Sequence, residues 1–178
     1  MRLPRPYVTT WLALLAGCAS SPPAPAPALA APQVPASLSA PAGQSVYLEA
    51  LARGVQIYEC SQKPDATYDW AFKAPEAALT ARSGESIGKH YAGPTWESND
   101  GSAVIGVVKS RDPGPNPTAI PWLLLAAKAT TGSGTFSLTK SIQRVTTVGG
   151  QPPPAPCTAA NLGQVVRVPY SATYYFYR

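Results

Sequence analysis

The sequence predicts an all-β domain, an antiparallel sandwich or barrel of about eight to ten short strands with at most one or two helical turns. Three observations carry this. Apolar residues recur with period two rather than 3.6 from Val46 to the C-terminus. Clusters rich in glycine and proline interrupt those runs at short intervals, as strand-to-strand turns require. No stretch carries the long apolar stripe of an amphipathic helix.

Within the β domain, read as residues 43–178, Val46, Leu48 and Ala50 alternate with polar neighbours, and after Gly54 the residues Val55, Ile57 and Tyr58 lead to Cys60. Tyr68, Trp70 and Phe72 alternate with Asp69, Ala71 and Lys73, which predicts a strand with one aromatic face buried. Residues 75–79 suit one helical turn before Ser83-Gly84. Residues 88–102 gather the single histidine, a tryptophan, two carboxylates and several glycines, and end in Asn99-Asp100-Gly101-Ser102, whose Asp-Gly pair tolerates the positive φ of a hairpin turn. A strand of small and branched residues follows at 103–109, and Pro113, Pro115 and Pro117 mark an exposed loop. The continuous apolar run at 119–127 suits a strand buried on both faces, with Pro121 at its start where a missing N–H is tolerable. Gly132-Ser133-Gly134 turns the chain into residues 135–138, residues 141–148 alternate again, and residues 149–156 deliver Cys157. Tyrosine-rich strands at 164–168 and 171–177 close the chain.

Residues 1–17 form a processing segment outside the fold. Arg2 and Arg5 supply a positive start, and the apolar run behind them is shorter than the roughly 20 residues a spanning helix needs. Leu15-Ala16-Gly17-Cys18 looks like the lipobox of bacterial lipoproteins, which implies cleavage before Cys18 and lipid attachment to it. Several acyl chains on one residue anchor stably, because each buried methylene contributes about 0.8 kcal/mol. Ala19 after the cysteine, by resemblance to Gram-negative lipoproteins, points to the outer membrane. From residue 18 to 42 the chain is nearly all Pro, Ala and Ser, an extended semi-rigid tether in the polyproline region.

Only 13% of the chain is charged and 45% is hydrophobic, so a packed domain is expected. The formal charge is +5, two charges of which leave with the signal, and the basic residues are scattered rather than interleaved with aromatics. Nucleic acid is therefore not an expected partner. With Cys18 lipidated, Cys60 and Cys157 remain, and two thiols in an oxidising compartment predict one bridge.

His90 has an unperturbed pKa near neutrality and, with Glu97, supplies a candidate catalytic pair. A lone histidine in a β domain is also commonly a hydrogen-bonded structural residue. Tyr91, Trp96, Asp100 and Arg144 are the candidate ligand-binding residues: aromatic faces for stacking, charged groups for orientation. One imidazole and its neighbouring acids do not make up a zinc set, the acids do not follow an EF-hand spacing, and no Gly-x-Ser-x-Gly elbow occurs, so neither a metal nor a cofactor is expected. Gly93, Pro94 and Gly101 are expected to shape the backbone so that His90, Trp96 and Glu97 face a shared depression.

Several segments carry a resemblance. Residues 54–60 (Gly-Val-Gln-Ile-Tyr-Glu-Cys), Trp70 with Phe72, Pro75-Glu76-Ala77, residues 88–97 with Asp100-Gly101-Ser102, Ile120-Pro121-Trp122-Leu123-Leu124, residues 142–150 and the closing 170–177 resemble, in order, the family called domain of unknown function 3455. The resemblance implies secreted, β-rich proteins of no established activity and supplies no catalytic residue. The sequence thus describes a lipid-anchored envelope protein whose domain binds a glycan, small molecule or protein; a hydrolase built on His90 and a carboxylate, or a purely structural envelope protein, are the alternatives.

Overall fold

The computed structural model describes residue 1 and residues 29–178. The signal segment, the candidate lipidation site Cys18 and the first part of the Pro/Ala-rich stretch lie outside the described residues.

Among the described residues eight antiparallel strands follow one another around a closed barrel: β1 (Val46–Gln62), β2 (Tyr68–Thr80), β3 (Ser86–Tyr91), β4 (Thr95–Ser98), β5 (Ala103–Asp112), β6 (Trp122–Thr131), β7 (Ser141–Gly149) and β8 (Val165–Tyr177). Each pairs with its sequence neighbour, and β1 closes the ring on β8 from Val46↔Tyr177 to Glu59↔Val165. Of the two architectures the periodicity allows, the barrel is the one formed. Closure removes the exposed edges that an open sheet would have to protect. The number of strands falls within the eight to ten expected, but several are longer than the sequence suggests, because the alternations at 46–50 and 55–60 are one strand, as are those at 164–168 and 171–177.

Alternation settles what faces inward. Ala50, Ala52, Leu79, Trp96, Val104, Leu123, Leu125, Ile142, Tyr174 and Phe176 belong to one buried cluster that fills the lumen. Gln143 and Tyr177 stand one residue out of step with Ile142 and Phe176 and so lie on the outside, yet both are buried. The segment before β1 contributes to that cover: a 3-10 turn at Ala36–Leu38 packs on β5 and β6, Leu38 is fully buried, and its carbonyl accepts Gln143 Nε2 at 2.6 Å. The end of the stretch read as tether is therefore part of the domain, which explains why β6 is apolar on both faces.

Two local readings are corrected. Residues 75–79 do not form a helical turn; β2 runs straight through Pro75, which pairs with Gln56. The β2–β3 pairing goes no further than Ala77↔His90, so Pro75 has a bare edge on that side, where a strand tolerates proline. The aromatic face of β2 is not buried: Trp70 is half-exposed and Phe72 is 53% exposed. These residues sit where β1 and β2 project toward one rim of the barrel, paired with Cys60 and Tyr58.

Candidate functional site

The two ends of the barrel are built differently. At one end, residues 135–138 form a turn that places Phe136, fully buried, against Phe176 with ring centroids 4.7 Å apart. Asp100 latches that turn. Its Oδ2 accepts the Thr135 N–H and hydroxyl, both at 2.7 Å, and its Oδ1 accepts the Ser102 N–H at 2.8 Å and hydroxyl at 2.6 Å. These four bonds, led by the Ser102 hydroxyl, hold the Asp100 carboxyl far below the usual carboxylate range. Asp100, expected to meet a ligand, instead closes this end.

At the other end the loops leave an opening. The segment before β6 and the loop after β7 are tied together through the Ala119↔Gly150 bridge, Ile120 N–H to Gly149 O at 2.9 Å and Gln151 Nε2 to Ala119 O at 2.6 Å. Tyr58 donates its hydroxyl to Gly150 O at 2.7 Å. Gly150 has φ +79°, and a Cβ there would lie 2.9 Å from the Tyr170 side chain and 3.0 Å from that of Gln56, so only glycine brings the loop this close. Cys60 and Cys157 form the expected disulfide, and Trp70 Nε1 donates to Ala155 O at 2.8 Å, fixing the same loop to the ends of β1 and β2.

Below this rim lies a cavity of about 360 Å³, at the lower end of the roughly 300–1,000 Å³ common for small-molecule sites. Its floor and walls are Trp96, Leu125, Leu123, Val108, Ile120 and Tyr174, with His90 stacked on Trp96 at 4.3 Å and 12° and edge-on to Tyr174 at 5.2 Å. Gly106 makes room for the indole: a Cβ there would lie 2.9 Å from Trp96 Cζ3. Gln56, Tyr58 and Arg144 enter from β1 and β7, while Phe72, Lys73, Arg111 and Gln151 stand toward the mouth. Among the described residues no aspartate or glutamate lines the cavity.

His90 is 2% exposed, and its Nδ1 is 2.8 Å from Thr95 O. A carbonyl only accepts, so Nδ1 carries the hydrogen and Nε2 is the free acceptor. Burial, with the Arg144 charge adding to it, pulls the His90 pKa down to about 3 against the pull of the Thr95 bond, so the ring is neutral at physiological pH. Burial also raises the hydroxyl pKa values of Tyr58, Tyr170 and Tyr174. Among the described residues four buried polar atoms have no hydrogen-bonding partner: Gln56 Nε2, Trp96 Nε1 and the Tyr170 and Tyr174 hydroxyls.

Of the residues the sequence singles out, His90, Trp96 and Arg144 converge on this cavity. Glu97 and Tyr91 do not. His90 pairs directly with Trp96 across the β3–β4 hairpin, so Tyr91 and Glu97, each one residue further along, face outward. There Tyr91 donates to Glu97 Oε2 at 2.7 Å and Lys89 pairs with Oε1 at 3.1 Å; the tyrosine bond, then the lysine, lower the Glu97 pKa. His90 and Glu97 thus lie on opposite faces of the sheet, and the depression expected to join His90, Trp96 and Glu97 contains only the first two. Gly93 and Gly101 both take positive φ, 124° and 82°. Among the described residues no three His, Cys, Asp or Glu side chains gather as a metal site. Sequence reasoning passed over Gln56 and Arg111. Gln56 was findable, as the polar member of an inward series that begins Ala50 and Ala52.

Fold and cavity together define a small closed β-barrel with a ligand-sized space at one end of its lumen. The chain belongs to the family described as "Protein of unknown function (DUF3455)", which matches residues 41–178. No curated protein and no solved structure gives a significant match.

Proposed function

We propose that the chain is a small-molecule-binding module of the bacterial cell envelope, in which a lipid on Cys18 holds the barrel at the membrane, the outer one by its Ala19, and the lumen takes a ligand with an apolar body. One observation carries the binding reading: Gln56 Nε2, Trp96 Nε1 and the Tyr174 hydroxyl line one cavity, each buried and without a protein partner. An unpaired buried polar group costs about 1–3 kcal/mol, and native interiors contain few of them. Three around a single cavity of suitable size mark a place prepared for complementary groups on a ligand. The geometry favours binding over hydrolysis, since the lining offers His90 no carboxylate to orient or charge it.

The test uses N-phenyl-1-naphthylamine, a neutral dye that brightens in apolar sites, with the full chain carrying Cys18→Ser so that no detergent is needed. Saturable binding of one dye per chain, reversed by 1-octanol, is the expected result; no enhancement, or enhancement that 1-octanol leaves untouched, rejects the cavity as a site. Anchoring is checked separately. Cys18→Ala should move the chain from the membrane fraction to the soluble one, and retention after a carbonate wash removes the anchor from the proposal.

A further inference from the structure

The cavity's charge is one-sided. Gln56 Nε2 and Trp96 Nε1 are donors, the Tyr174 hydroxyl can donate and His90 Nε2 accepts, while the charged groups among the described residues that line the space are Arg144, Arg111 and Lys73, with no acid among them. Of the three, Arg144 alone is half-buried; Arg111 and Lys73 are exposed. The Arg144 charge is felt at Tyr58, His90, Tyr170 and Tyr174, where it favours the deprotonated form in each case. Its guanidinium is held from behind, with Nε and Nη2 both donating to Pro121 O at 3.1 and 2.8 Å. Two of five N–H groups are so used, leaving three. The ion pairs take up Lys63, Lys73, Arg82, Lys89 and Arg167, so Arg144 and Arg111 have no carboxylate partner among the described residues. Lys73 is already paired with Glu59 at 3.1 Å.

A cation kept without an anion in a largely apolar lumen is expensive, and the guanidinium fork matches one group best, a carboxylate accepting two parallel N–H bonds. The apolar walls, Leu123, Leu125, Val108 and Ile120 beside the stacked His90 and Trp96, suit an uncharged body of modest size. We propose that the ligand is an apolar monocarboxylate and that Arg144 takes its headgroup. This rests on the cavity being a binding site, as argued above.

The experiment compares octanoate with 1-octanol, which share a tail and differ in the headgroup, by isothermal titration calorimetry on the full chain carrying Cys18→Ser at pH 7.5. Octanoate should bind at least tenfold more tightly than 1-octanol, and Arg144→Gln should cut that preference to threefold or less. Equal affinities in the unaltered cavity overturn the carboxylate inference and leave the binding reading standing. Failure of both to bind overturns the binding reading itself. Octyl phosphate serves as a third arm, and tighter binding of it than of octanoate overturns the choice of carboxylate. Because Arg144→Gln also releases Pro121 O, Arg111→Gln is measured in parallel; a preference lost there and kept in a folded Arg144→Gln chain overturns the assignment to Arg144. Lys89→Gln, on the outer face, should leave the preference unchanged.

Discussion

Replacing Cys60 and Cys157 together by alanine lowers the unfolding free energy by about 4 kcal/mol, seen as a fall of roughly 1 M in the guanidinium midpoint. The two cysteines are 97 residues apart, close to the longest loops for which the chain-entropy argument is worked out, so the bridge removes much freedom from the unfolded chain. Its effect on the native state is smaller, because other bonds hold the same junction. Cys60 N–H donates to Gln164 O at 2.9 Å, Gly163 N–H donates to Cys60 O at 2.8 Å, and the Trp70 indole still reaches Ala155. The double variant should therefore keep its rim and its dye binding at low denaturant while unfolding earlier. Non-reducing peptide mapping checks the premise by recovering the Cys60–Cys157 peptide. An unchanged midpoint would mean that these backbone bonds persist in the unfolded ensemble and already restrain it.

What the sequence made legible follows from period two. It identified an all-β chain and the alternation at 141–148, while the cysteine count gave the bridge and the Asp100-Gly101 pair the tight turn. What it left open depends on register and closure. Whether His90 shares a face with Trp96 or with Glu97 is decided by the number of residues in the β3–β4 turn, and a change of one would exchange Glu97 for Trp96 in the cavity. The Ala92-Gly93-Pro94 turn fixes that register, with Tyr91↔Thr95 as the last pair, and no periodicity in the strands reports it. The cavity is a property of closure as well. Gln56 on β1, His90 on β3, Arg144 on β7 and Tyr174 on β8 meet only because β1 and β8 join, a pairing between the two ends of the domain. Local signals also misled where an edge intervened: Pro75 reads as a helix start, yet lies in a strand whose neighbour has ended.

Trp96→Ala is the substitution expected to cost most, about 3–5 kcal/mol, because truncating a buried tryptophan both loses apolar burial and leaves a cavity. The indole is 1% exposed, stacks on His90, meets Tyr174 edge-on at 5.3 Å and Phe176 at 6.1 Å, and fills the space that Gly106 leaves. Trp96→Phe should cost less, since it keeps an aromatic ring in the stack and removes the unpartnered Nε1 donor. Loss of stability alone does not separate a core residue from a site residue here, because the same ring belongs to the buried cluster and forms a wall of the cavity. Linkage to ligand does separate them. At octanoate about a hundred times above its dissociation constant, a folded chain gains about 2.7 kcal/mol, and a variant with a damaged site gains less at the same concentration. Trp96→Phe should show a smaller gain than the unaltered cavity, whereas Glu97→Gln, altered on the outer face, should show the same gain. Equal gains for all three would confine Trp96 to packing and place the ligand's contacts nearer the rim, among Phe72, Arg111 and Gln151.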